Sequence, residues 1–65
     1  MKKSFAENLK EIRNGNKLSQ KEFALKVGTT QQRVSEWECG KCEPNLYSLK
    51  KILEVLNCSF DDLVD

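Results

Sequence analysis

The sequence predicts an all-α fold of five short helices. Apolar residues recur at helical spacing along the chain, with no convincing two-residue alternation. Five separate helix-start signals punctuate that spacing. Size is the third observation: a 65-residue chain hides only about 60% of the surface its unfolded form exposes, enough for one compact core. A single domain over residues 1–65 is expected, without linker, repeat or low-complexity segment.

The first helix carries Phe5, Leu9 and Ile12 at i, i+4 and i+7. Ser4 is its N-cap and Glu7 completes a capping box, while Gly15 or Asn16 is expected to take the left-handed turn that ends it. Ser19 and Glu22 form a second capping box, with Leu18 and Phe23 spaced as a hydrophobic staple. That helix points Phe23, Ala24 and Val27 inward and stops at Gly28. Thr30 caps a third helix, which presents Val34 and Trp37 to the core and ends near Gly40. Pro44 lies in a loop. Asn45 then caps a fourth helix with an expected apolar face of Leu46, Leu49, Ile52, Leu53 and Leu56, terminated by a left-handed Asn57. Ser59 with Asp62 starts a short last helix bearing Phe60, Leu63 and Val64.

Composition excludes several classes of function. No apolar run approaches the ~20 residues of a membrane span, and Met1-Lys2-Lys3-Ser4 leads straight into amphipathic sequence without a signal segment. A cytoplasmic location and no membrane partner are expected. The chain has no histidine, no glycine-rich phosphate loop and no visible nucleophile–base pair, so it is not expected to be an enzyme. Asp61-Asp62 sits at a helix start, where the helix dipole explains it. Cys39, Cys42 and Cys58 are odd in number, which argues against a disulfide framework. Cys39-Gly40-Lys41-Cys42 spells C-x-x-C, but without a second such pair or a histidine it falls short of four zinc ligands. Reduced thiols, no metal and no cofactor are expected, with oxidation of Cys39 as a switch left as an alternative.

The formal charge of +1 hides an asymmetry. Residues 1–33 hold eight basic and three acidic side chains (+5), whereas residues 34–65 hold three basic and seven acidic (−4). Such a split hints at contact with nucleic acid or a membrane surface. The informative segment is 20–39: a helix of about eight residues, a tight turn at Gly28 and a second helix from Thr30. This is helix-turn-helix geometry, whose second helix can enter a DNA major groove. Ala24 is small so that the helix backbones can approach, Gly28 accepts a positive φ, and Val34 packs back under the preceding helix. Gln20, Ala24, Gly28 and Val34 occupy the first, fifth, ninth and fifteenth places of the motif.

From Phe5 to Leu63 the sequence resembles the Cro/repressor type of helix-turn-helix proteins, the XRE family. The stretch Lys26-Val27-Gly28-Thr29-Thr30-Gln31-Gln32 is similar to the DNA-reading segment of lambdoid phage repressors. Leu18-Ser19-Gln20, Trp37-Glu38 and Gly40-Lys41 add to the resemblance. It implies a lambda-repressor-like five-helix domain that regulates transcription, most simply as a repressor. It further implies a homodimer on a near-palindromic double-stranded operator, with no small-molecule ligand.

A helical wheel with Val34 and Trp37 inward turns Gln32, Ser35, Glu36 and Cys39 nearly opposite and leaves Gln31 at the exposed N-terminal end. Glutamine can bond adenine in pairs and glutamate can accept from a cytosine amino group. Gln31, Gln32, Ser35 and Glu36 are therefore the candidate base contacts. The resemblance places Gln20 and Lys41 against phosphates; Arg33 and Lys21 are further phosphate candidates. It also pairs Arg13 with Glu38 as a structural ion pair and puts Leu56, Cys58, Phe60 and Val64 at the dimer interface. Cys39 departs from the family's polar or basic residue, so one backbone anchor is missing there. Trp37 is expected in the core rather than as a base-stacking platform. The alternative is a protein-binding module, such as the antitoxin component of a toxin–antitoxin pair.

Overall fold

A computed structural model describes residues 4–64; Lys2, Lys3 and Asp65, counted above in the charge split, lie outside them. Among the described residues the chain forms α1 (Phe5–Gly15), α2 (Gln20–Val27), α3 (Gln31–Glu38), α4 (Leu46–Leu56) and α5 (Phe60–Val64). It is the expected five-helix architecture, with no strand among those residues.

Local chemistry sets the helix starts. Ser4 Oγ accepts from the Glu7 amide at 3.2 Å while Glu7 Oε1 accepts from the Ser4 amide at 3.1 Å. Ser19 and Glu22 repeat this at 3.0 and 2.9 Å, and the Ser19 backbone amide holds the Glu22 carboxyl below its ordinary value. Thr30 Oγ1 accepts from the Arg33 amide and Asn45 Oδ1 from the Ser48 amide. Gly28 ends α2 at φ 88° and Asn57 ends α4 at φ 52°, both left-handed.

The end of α1 differs from expectation. Asn16 stays at φ −89°, because its amide bonds back to Ile12 and Arg13 and its side chain to the Ile12 carbonyl. Neither Gly15 nor Asn16 takes the left-handed conformation. It falls to Lys17 at φ 59°, where the Lys17 amide reaches Asn14 and the Leu18 amide reaches Arg13, closing the helix end.

All five helices contribute to one core. Leu9 enters from α1, Phe23, Ala24 and Val27 from α2, Val34 and Trp37 from α3, Ile52 and Leu56 from α4, and Leu63 from α5. Burying each of the larger side chains contributes about 1.5–3 kcal/mol. Leu18 packs partly buried against this cluster, as a staple with Phe23 requires. Two expectations are corrected here. Leu46 is 84% exposed, not part of the α4 apolar face. At about 100° per residue it lies roughly 120° round the helix from Ile52, outside the arc that Ile52 and Leu56 bury. Leu56 is only 3% exposed and packs within its own chain, so it is withdrawn from the dimer interface.

The core also contains a polar tie. Asn8, 8% exposed, donates from Nδ2 to the Leu63 carbonyl at 2.8 Å, pinning α5 to α1. Asn8→Ala should destabilise the fold by about 1–3 kcal/mol in urea unfolding, because the buried carbonyl loses its donor. Asn8→Asp should cost more, since it sets an acceptor against an acceptor. Equal stability of both variants and the parent would show that the bond contributes nothing.

Candidate nucleic-acid interface

The turn between α2 and α3 is tight because two successive amides, Gly28 and Thr29, both bond to the Ala24 carbonyl at 2.9 Å. Gly28 makes the reversal and Thr30 restarts the helix. Phe23, Ala24 and Val27 then meet Val34 and Trp37 within the shared core. One face of α3 is thereby buried, and the first turn of the helix is left outside.

Gln31, Gln32 and Arg33 are exposed in the first turn of α3, and Cys39 is exposed at its C-cap. Ser35 and Glu36 are half-buried rather than fully outward. The chain leaving α3 turns back over Glu36: the Lys41 amide bonds to its carbonyl at 3.0 Å, and Cys42 Sγ lies 3.9 Å from its Oε1. Lys21 on α2 and Lys41 in the loop are exposed, as are Lys10, Lys17 and Lys26. Gln20, the first residue of α2, is half-buried.

Beneath this surface Arg13 and Glu38 meet. Arg13 Nε donates to Glu38 Oε2 at 2.6 Å and Nη2 to Oε1 at 3.0 Å, a two-pronged contact. The side chains are 7% and 2% exposed. Arg13 Nη1 also donates to the Leu18 carbonyl at 2.6 Å, and Gln20 Nε2 donates to Glu38 Oε1 at 3.1 Å. Sequence reasoning missed this last bond; no spacing rule links the two ends of the motif.

Phe60 and Val64 are exposed and, with Phe5, Glu43, Pro44 and Leu49, line an open depression of about 250 Å³. Cys58 is half-buried beside them in sequence, and burial, aided by Asp62, pushes its thiol pKa up. All three cysteines are free thiols. Among the described residues no group of three or more His, Cys, Asp or Glu could hold a metal ion, and no helix is long and apolar enough to cross a membrane.

A tight α2–α3 turn, a buried inner face on α3 and an exposed polar first turn define a helix-turn-helix domain of the lambda-repressor-like fold. The helix-turn-helix family model matches residues 9–63, and the chain belongs to that family. It is 35% identical over 60 residues to the HTH-type transcriptional activator BcrR of Enterococcus faecalis, covering 92% of this chain and 29% of BcrR. The P22 c2 repressor protein, solved in complex with a synthetic operator, superposes with a TM-score of 0.92. It is 28% identical, over 98% of this chain and 97% of that one. Hydroxypropylphosphonic acid epoxidase from S. wedmorenis also matches, with TM-score 0.86 and 35% identity, over 94% of this chain and 32% of the epoxidase. The chain spans between 29% and 56% of the length of the curated relatives it matches.

The buried ion pair makes a stability prediction. Glu38→Ala leaves Arg13 charged and unpaired in the interior and should cost about 3–5 kcal/mol in chemical denaturation. Replacing both partners, as Arg13→Met with Glu38→Leu, should cost much less, because no uncompensated charge remains. A double variant as unstable as Glu38→Ala would contradict this.

Proposed function

We propose that this chain is a sequence-specific, double-stranded-DNA-binding transcriptional regulator of the Cro/repressor type. It acts most simply as a repressor on a near-palindromic operator, with α3 in the major groove. The observation that carries the reading is the exposed first turn of α3, Gln31, Gln32 and Arg33, on a helix anchored from behind by Val34 and Trp37. The repressor–operator complex of a structural relative and the regulator names of the curated relatives support it. The chain is a binding protein rather than an enzyme, needs no cofactor, and works in the cytoplasm as one domain over residues 1–65, its motif at 20–39.

In this reading Gln31 and Gln32 read bases, with Ser35 and Glu36 behind them deeper along α3. Gln20, Lys21, Arg33 and Lys41 hold the phosphate backbone. Two copies pair through Phe60, Val64 and the edge of Cys58, with half-sites about one helical turn apart. A second reading, a protein-binding module such as an antitoxin, is favoured by one observation: Leu46 and Tyr47 stand adjacent on α4, 84% and 79% exposed.

Salt separates the two. With Lys21, Arg33 and Lys41 on phosphates in each of two copies, affinity for duplex should fall about 10³-fold between ~50 and ~200 mM salt. An apolar protein interface would hardly respond, and a flat salt profile would remove the DNA reading. Selection from a random duplex pool should return a near-palindrome. On that site Gln32→Ala should cost about 1–3 kcal/mol and on random duplex far less. Equal losses on both would deny Gln32 a base-reading role.

A further inference from the structure

We propose that Glu38, held by Arg13, is a positioning residue for DNA binding: it takes one N–H of the Gln20 side-chain amide and leaves the second N–H of the same nitrogen for the phosphate backbone. The inference rests on the proposed function above, in which Gln20 faces a phosphate.

The chemistry is one of donors and acceptors. An ionised carboxylate only accepts hydrogen bonds, while a glutamine amide has a donating end and an accepting end that interchange by rotation. A phosphate oxygen also only accepts, so an amide rotated the wrong way meets it with a repulsive contact. Left free, Gln20 must be sorted into the useful orientation at the moment of binding. In this structure the sorting is already done. Glu38 Oε1 takes an N–H from Gln20 Nε2 at 3.1 Å, so the nitrogen is the end turned toward the carboxylate. That nitrogen carries a second N–H, which points away from Glu38. Gln20 is half-buried, so part of the residue still reaches solvent.

Glu38 cannot rotate to release the amide. Both of its oxygens are engaged by Arg13, and its side chain is 2% exposed. Arg13 is fixed in turn by the Leu18 carbonyl, two residues before Gln20. The end of α1 and the first residue of α2 therefore converge on one carboxylate, and the loop before α2 is tied to it through Arg13. The carboxylate belongs to the last residue of α3. The ion pair thus ties the phosphate-facing end of α2 to the far end of the reading helix. A glutamine or asparagine in place of Glu38 would present either a donor or an acceptor and would leave the amide orientation open.

The test is a double-variant cycle on duplex affinity with the full chain, using the selected operator and a random duplex. In the native background Gln20→Met should weaken binding about tenfold per half-site on both duplexes, the scale of one hydrogen bond to a charged group. In the Arg13→Met/Glu38→Leu background the same Gln20→Met change should cost about threefold or less, because the amide is no longer oriented. Circular dichroism confirms that each variant is folded. A structural role alone would lower stability and leave the Gln20→Met effect unchanged, so equal losses in both backgrounds overturn the proposal. A measurement on the native chain needs no variant: in ¹⁵N-resolved NMR one of the two Gln20 side-chain amide protons should shift on adding operator while its Glu38-bonded partner stays put. Both shifting together, or neither, also overturns it. If the native chain retains no duplex even in dilute buffer, the DNA reading falls and this inference with it. If it binds but the cycle shows no coupling, only the positioning role falls.

Discussion

Val34 and Trp37 are buried from the same side of α3, and that anchoring decides what the rest of the helix can do. The described residues form one core and no second layer that covers the other side. Once two bulky side chains are drawn inward, the residues about half a turn away must remain at the surface. Gln32 and Cys39 fall there by helical geometry, and both are exposed. Ala24 makes the arrangement possible from the α2 side, since a larger side chain at that 3% exposed position would hold the helices apart. Gly28 makes it possible along the backbone, where a Cβ would strain the positive φ. Burial on one face and presentation on the other are one constraint seen from two sides.

Polar ties inside the core act on geometry more than on net stability. A buried ion pair gains Coulomb energy but loses hydration, and apolar replacements of similar volume are often as stable. Arg13 and Glu38 do what apolar replacements could not: their directional bonds bring α1, the Leu18 carbonyl, Gln20 and α3 to one place. Asn8 does the same for α5, a helix of five residues too short to hold itself. In both cases a hydrogen bond defines an angle that packing alone would leave looser.

Much of this architecture was legible in the sequence because it is locally encoded. The caps at Ser4, Ser19, Thr30 and Asn45, and the left-handed stops at Gly28 and Asn57, depend only on residues within a turn, and all appear where the sequence puts them. The misses share a cause: they depend on what lies across the fold. Leu46 has the right composition for an apolar face but sits outside the arc that the core reaches. Leu56, assigned to a partner, is claimed by its own chain. Lys17 takes the turn because the Asn16 side chain holds its own backbone on the preceding helix. Asn8 and the Gln20–Glu38 bond join residues 55 and 18 apart, and no periodicity reaches that far. At the candidate interface the helix wheel placed Gln31 and Gln32 at the surface, but could not see the returning chain that half-covers Glu36.

The fold by itself does not decide function, since about a third of an epoxidase has the same shape. The decision rests on the first turn of α3 and on size and charge. A formal charge of +1 gives one copy little general attraction to duplex, and backbone contacts alone yield dissociation constants of only about 10⁻⁴–10⁻⁶ M. A useful affinity then requires base contacts, a second copy, or both. The dimensions suit a second copy: the molecule measures 31 × 24 × 23 Å, against roughly 34 Å between successive major-groove faces. In the proposed dimer two copies so spaced would stand side by side without overlap, with only side chains left to bridge them, a role open to the exposed Phe60 and Val64. Because an activator and a repressor both resemble this module, the proposed reading lets its surface choose where on a duplex the chain would sit, while the sign of the response would depend on what that placement blocks or recruits.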